Sequence, residues 1–359
     1  MKSYRVQTLI ECIVRNYNNR KVVIWGKCDS SDMISKALYE QHGIVTEYFI
    51  DSNTNLLNGT TVRSVMEIDR KSNDIYVVIP LRYHKSIIER LTAFGYKEVN
   101  DYAYSSHKPI SITKDKMDDY SYSDIFGNKI VGDISNCKVI FRGYNSTITI
   151  GNSTNIQENV EIYIDDDVNV SIGNNLTIFK NTKWNFLPDS LVTLGDNCIF
   201  EQDGELTCGR NAEITIGSNI LFGCRYWIVA SIQSRIKIGN DCLFSRDVMI
   251  RTNDGHSIFD INTKKNINSA LKEQYKKSVI ISDHVWVGAK CTCLYNTKIH
   301  SGSIVGAHSL VKREFPNNCI IAGSPAKIIR RDIAWSKENN RDNMDIVNEK
   351  YIHYTLEVN

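Results

Sequence analysis

Residues 150–200, IGNSTNIQENVEIYIDDDVNVSIGNNLTIFKNTKWNFLPDSLVTLGDNCIF, decide the fold. Ile150, Ile172 and Leu194 are each followed by glycine and stand 22 residues apart, and the series runs on through Ile216 and Ile238. A fixed period of this length marks a repeat architecture. Six residues on lies a second apolar column, Ile156, Ile178, Phe200, Phe222 and Phe244, and twelve on a third, Ile162, Trp184, Leu206, Ile228 and Ile250. Three columns six apart describe a three-sided coil. Ile148, Val170, Val192, Ile214 and Ile236, two before the first column, give the alternation of strands with one face inside. Each coil is therefore expected to be three short parallel strands.

Six-residue sides leave four residues of each 22 unused, and these fall after the third side as DDDV (165–168), LPDS (187–190), GRNA (209–212) and SIQS (231–234). One edge of the prism should carry small protruding corners. After Lys277 the count tightens to 18, from Ile281 to Ile299, Val287 to Val305 and Cys293 to Val311, which is three hexapeptides with no corner insertion. This pattern resembles the left-handed parallel β-helix of hexapeptide-repeat acyltransferases. Cys198, Cys242 and Cys291, with Thr154 and Ser309, occupy the small position of the hexapeptide and are read as core. Roughly eight coils at about 4.8 Å each make a rigid rod on the order of 40 Å long. Its partly apolar faces call for subunit neighbours, and the resemblance implies a homotrimer.

The first part of the chain is of another kind. KVVIWG (21–26), SSDMISKALYEQHG (30–43), IVTEYFID (44–51), DIYVVIP and RYHKSIIERLTAFGY alternate strand and helix, and indicate a small Rossmann-like α/β domain over residues 1–104, with its N-terminal helix. Gly26 is followed by KCDSSD, so the three-glycine phosphate fingerprint is absent, although Asp51 could take a ribose hydroxyl. A degenerate or glycan-positioning domain is the alternative to a nucleotide site. Residues 105–125 read as a linker, 126–330 as the β-helix, and 331–359 as a tail that caps the solenoid or braces a neighbour.

Composition narrows the partners. Lys plus Arg number 43 against 41 Asp plus Glu, so no global field exists to attract nucleic acid or anionic lipid. The N-terminal apolar stripe is broken by Glu11 and Arg15 and is too short and polar for a signal peptide or membrane span, so the expected location is the cytoplasm. The ten cysteines lack a paired framework and read as reduced thiols.

Counting from Ile238, the fifth corner holds Asn253, Asp254, Gly255 and His256, within RTNDGHSIFD (251–260). Instead of closing, this corner swells into an inserted loop, 257–278, and repeat proteins carry such insertions on the binding face. A hydroxyl attacking a thioester needs a base that titrates near neutrality, and imidazole meets this without a special environment. His256 is the candidate general base, with Asp254 or Asp260 fixing its tautomer. Downstream, Phe315-Pro316 precedes Gly323-Ser324-Pro325-Ala326-Lys327, and this ending together with Asp254-Gly255-His256-Ser257-Ile258 looks like the branch of the family that acetylates sugar hydroxyls.

That resemblance implies acetyl-CoA as co-substrate and a carbohydrate acceptor, a bacterial surface polysaccharide or its precursor, with no metal. It implies pantetheine along Gly288, Ala289, Gly306 and Ala307, with Lys312, Lys327 and Arg330 toward the phosphates, Ser324 as a further cofactor-binding residue, and an oxyanion at backbone N–H groups around Trp286 to Gly288. His300 and His308 stand where glycine is usual. Trp286 should point outward, toward substrate or a subunit neighbour; Trp227, also outward, with Arg251 and Asn253, is a candidate for the acceptor. A zinc site from His284, His300, Cys291 and Cys293 is disfavoured, because both cysteines would point into a narrow prism. Two rival functions stay open: N-acetylation of an amino-sugar nucleotide, and a non-catalytic scaffold for capsule synthesis.

Overall fold

The structure is a computed structural model that describes residues 4–51, 62–64, 68, 70–80, 85–98, 100–104, 109–124, 126–268, 277–338 and 348–358. The chain divides into two compact units, one of residues 1–110 with 124–128 and 142–145, the other comprising the rest.

In the first unit β1 (Lys21–Trp25), β2 (Thr46–Asp51), β3 (Val62–Ser64), β4 (Ile75–Ile79) and β5 (Tyr102–Tyr104) form one parallel sheet in the order β3-β2-β1-β4-β5. It is accompanied by α1 (Tyr4–Asn16), α2 (Asp29–His42) and α3 (Lys85–Ala93). Val22 and Ile24 join one apolar cluster with Leu9, Ile13, Ile34 and Leu38, whereas Val23 and Trp25 join another with Val77, Ile79 and Leu91. Alternate residues thus enter two cores, which is why the strands read as unbroken apolar runs. Gly43 ends α2 in the left-handed conformation that its lack of Cβ permits. The carboxylate of Asp51, expected at a ribose, accepts the Lys27 backbone N–H at 2.7 Å.

The second unit is a parallel β-solenoid. On its first face nine parallel strands stack from Lys129–Val131 to Glu314–Phe315, one more than the expected eight coils, and Ser121–Ser123 pairs antiparallel at the open end. The second face runs from Asn155–Ile156 to Ile320–Gly323, and the third from Ile110–Ile112 to Leu310–Val311. Registers follow the sequence count: Ile150 pairs with Ile172, Ile156 with Ile178, and Ile162 with Trp184. All three columns are buried, and rings stack along the second, Phe200 on Phe222 at 5.1 Å and Phe222 on Phe244 at 4.3 Å. Trp184 fits the third column because its indole N–H finds the Tyr226 hydroxyl at 3.2 Å inside the core.

The glycine after each first-column residue is required by coil spacing. A Cβ on Gly173 would stand 2.6 Å from the Gly195 carbonyl carbon in the next coil. At the following position, side chains bond up the stack: the Asn174 Oδ1 accepts from Asn152 N at 2.9 Å, and the Asp196 Oδ1 from Asn174 N at 2.6 Å. Cys198, Cys242, Cys291 and Ser309 are buried as expected, whereas Thr154 is half-buried. All ten cysteines are free, and burial pushes the Cys242 thiol up to about 12.

Two expectations change. The stretch read as a linker contributes Ser121–Ser123 and a 3-10 turn, Lys114–Lys116, to the solenoid unit; residues 105–108 and 125 lie outside the described residues. The GSPAK segment is a hairpin, in which Ala326–Arg330 folds back antiparallel on Ile320–Gly323 around a cis Ser324–Pro325 peptide.

Candidate active site

Four successive corners between the third and first faces turn through a residue at positive φ: Asp167 at 44°, Asp189 at 60°, Asn211 at 52° and Gln233 at 54°. The fifth in the series is Gly255, at 87°. Polar side chains that bond their own backbone tolerate this conformation, and glycine adopts it freely. The next residue in the first four corners turns inward, and Val168, Ser190, Ala212 and Ser234 are all buried. His256 occupies the same position one coil on, and it is exposed. The chain leaves the corner for the insertion instead of re-entering the first face, and returns to it only at Ser278.

Hydrogen bonds from the insertion hold this corner. The Asn268 Nδ2 donates to the His256 backbone oxygen at 2.8 Å and to Asp254 Oδ2 at 3.1 Å, while its Oδ1 accepts from Ile258 N at 2.8 Å. The Lys277 ammonium donates to the Asn268 carbonyl at 2.6 Å and stands 3.7 Å from Asp254 Oδ2. It also lies 4.7 Å from the centre of the Tyr295 ring, whose other contact is Lys312 at 4.4 Å. A continuous chain of contacts therefore joins Asp254 to Lys312. Neither aspartate bonds the His256 ring among the described residues. Asp260, expected as one possible partner, is spent on its own turn: its Oδ1 accepts from the Thr263 N–H at 2.7 Å and hydroxyl at 2.9 Å, and these bonds hold its carboxyl below the usual range. Residues 269–276 of the expected loop lie outside the described residues.

The outer surface of the third face leads to this edge. The Arg251 guanidinium lies 5.3 Å from the Trp227 ring centre and donates to Asn253 Oδ1 at 2.9 Å, so these three acceptor candidates form one group. Because the cation covers its ring, Trp227 presents Arg251 more than it presents a bare stacking platform. Trp286 points outward between buried Val285 and Val287, but from the second face, which lies across the prism from the edge that carries His256. Within one chain the two are not brought together.

At the terminal coils, Lys312 and Lys327 line a cavity of about 240 Å³ with Leu310, Arg313, Pro325 and Ala326. Arg313 is an addition, and Ser324 and Arg330 are not among the lining residues. Gly288 and Gly306 mark the edge between the second and third faces, where a Cβ on Gly288 would come within 2.7 Å of Ala307 N. Their N–H groups bond Val305 O at 2.8 Å and Ile321 O at 2.7 Å, and Trp286 N bonds Ser303 O at 3.0 Å. The parallel ladder consumes these donors, so the N–H groups of Trp286 and Gly288 are not available to the expected oxyanion. Ala289 is half-buried, and Ala307 and His308 are exposed at the same edge.

His284 is a structural residue. Its Nδ1 meets Asp241 Oδ2 at 2.6 Å and its Nε2 meets the Trp335 carbonyl at 2.9 Å, while the Trp335 and Tyr351 rings stack on its two faces at 4.2 and 4.3 Å. His300 pairs with Glu314 at 2.8 Å, and Cys293 is buried in the core. No three metal-ligating groups converge among the described residues. Sequence reasoning missed Asn268, Lys277, Tyr295 and Arg313. Only Arg313, next to Lys312, carried a local signal; Asn268 and Lys277 meet the site through the return of the insertion, and Tyr295 from the following coil.

No protein-family model matches the chain. It is 38% identical over 98 residues, 27% of this chain and 30% of the relative, to the polysialic acid O-acetyltransferase of Escherichia coli O1:K1 / APEC. It is 37% identical over 83 residues, 22% of this chain and 42% of the relative, to the putative lipopolysaccharide biosynthesis O-acetyl transferase WbbJ of Escherichia coli strain K12. The chain thus spans less than half the length of these curated relatives. Among solved structures it is similar to the polysialic acid O-acetyltransferase OatWY, at 26% identity and a TM-score of 0.37 over 57% of this chain and 94% of that one.

Proposed function

We propose that the chain is an acetyl-CoA-dependent O-acetyltransferase acting on a hydroxyl of a bacterial surface glycan or its precursor, with His256 as general base. The observation that carries this reading is the exposed imidazole of His256, standing where four earlier corners bury a small side chain. The acceptor hydroxyl gives its proton to the ring as its oxygen attacks the acetyl carbonyl; the carbon–sulfur bond then breaks, and the departing thiolate takes that proton. Relatives named for O-acetylation of polysialic acid and lipopolysaccharide support an oxygen acceptor.

Lys312, Arg313 and Lys327 suit the phosphates of the donor, since three cations line one cavity with apolar Leu310 and Pro325. Arg251, held on Trp227 and joined to Asn253, suits the acceptor. A homotrimer of left-handed β-helices accounts for Trp286, which a neighbouring copy would present to a His256 edge that its own chain does not reach. The first unit is read as Rossmann-like from its strand order. No helix among the described residues is long and apolar enough to cross a membrane, and acetyl-CoA as the donor supports a reaction in the cytoplasm.

Thiol release from acetyl-CoA over a panel of glycans and amino-sugar nucleotides tests the assignment. Turnover with glycans is expected. Turnover confined to amino-sugar nucleotides would select N-acetylation, and a chain that neither binds nor consumes acetyl-CoA would be a scaffold.

A further inference from the structure

We infer that Asn268 is a positioning residue for the general base; this rests on the reading of His256 given above. In the four preceding corners the residue after the left-handed turn needs no special anchor, because it drops into the core: Ser234, for example, is fully buried and bonds the Ser231 carbonyl at 2.8 Å and the Thr252 hydroxyl at 2.6 Å. His256 has turned outward and lost that anchorage. Its backbone carbonyl is instead bonded by the Asn268 side chain, 12 residues on, at 2.8 Å.

The same amide nitrogen donates to Asp254 Oδ2 at 3.1 Å, and the same residue's Oδ1 takes the Ile258 N–H at 2.8 Å. One planar group thus spans the three consecutive alternate residues 254, 256 and 258. Asn268 is itself fixed at both ends, its N–H by Asn266 Oδ1 at 2.9 Å and its carbonyl by the Lys277 ammonium at 2.6 Å. Asn268 and Lys277 both engage Oδ2 of Asp254, and among the described residues no bond is made by its Oδ1. Asn268 therefore holds the base through the backbone that carries the ring, and ties that backbone to the flanking residues 254 and 258.

Steady-state acetyl transfer by Asn268→Ala, His256→Ala and the double variant tests this, with Asn268→Asp as a second probe. Asn268→Ala should lower kcat about tenfold or more, leave the KM for acetyl-CoA unchanged, and add nothing once His256 is gone, because residues acting through one group are non-additive. Asn268→Asp keeps the acceptor for Ile258 N but turns an oxygen toward two others; its rate relative to the native protein should recover as the pH is lowered and the new carboxyl gains a proton to donate. Wild-type kcat in Asn268→Ala, or a double variant slower than His256→Ala by the full Asn268→Ala factor, would overturn the assignment. An undiminished rate in His256→Ala would remove the base and the proposal with it, and is distinguished because the silent variant is then His256→Ala.

Discussion

His256 and Ser234 hold the same position in consecutive coils, 22 residues apart, yet Ser234 is fully buried while the His256 side chain stands in solvent. The divergence begins at Gly255, whose φ of 87° continues a series otherwise made by Asp, Asn and Gln. A core position has been turned inside out to mount an imidazole at the edge of a rigid stack. The backbone ladder ends before it, at Arg251, and resumes only at Ser278, so the Asn268 side chain at 2.8 Å holds the His256 carbonyl instead.

The first corner carries a pH-dependent liability. Burial, and then the neighbouring Asp189 carboxylate, push the Asp167 carboxyl up to about 7. The folded chain therefore binds this proton more tightly than the unfolded chain, and the stability it contributes is complete below the ordinary carboxylate range and lost as pH rises through about 7. Asn211 already holds the same turn two coils on. Asp167→Asn should unfold at a higher temperature than the native protein at pH 8, with the advantage shrinking toward pH 4; thermal melts across that range check it, and equal melting at pH 8 would refute it.

The tail is fastened by a buried ring. His284 is gripped between Trp335 and Tyr351, and Lys337 adds an ion pair to Asp241 at 2.8 Å. Replacing His284 by Ala removes both stacks and both ring hydrogen bonds, and should cost about 2 kcal/mol or more. Limited proteolysis should then cut the tail near Trp335 well before it cuts the coils. An unchanged cleavage pattern would show that the tail is held elsewhere.

The cationic cavity should serve the donor alone. Lys312→Ala and Lys327→Ala are each expected to raise the KM for acetyl-CoA roughly tenfold, the scale of one hydrogen bond to a charged group. The acceptor KM should not move, and the difference should narrow in high salt. Kinetics at two ionic strengths check this; a rise in acceptor KM instead would reassign the cavity.

Much of this was legible in the chain because a solenoid writes its geometry as a period. Ile150, Ile156 and Ile162 mark three inward columns with no knowledge of long-range contacts, and the swelling after Gly255 marks where the period breaks. What holds the broken corner was not legible. Asn268 and Lys277 lie in a non-repeating insertion, so no register connects them to Asp254, and Tyr295 reaches them only across stacked coils. The resemblance implied an oxyanion around Trp286 to Gly288, and what a likeness does not display is that the N–H groups of Trp286 and Gly288 bond the next coil in the parallel stack. Asp254 and Asp260 stood as alternatives in the sequence, and the DINT segment shows the local use of the second, a turn that the aspartate caps for itself.

The most direct measurement is acetyl transfer to a glycan acceptor by His256→Ala beside the native protein, under conditions where both are folded. Loss of a general base should lower kcat about 10²- to 10⁴-fold while the KM for acetyl-CoA stays within about twofold. A His256→Ala variant that acetylates at the native rate would contradict the account.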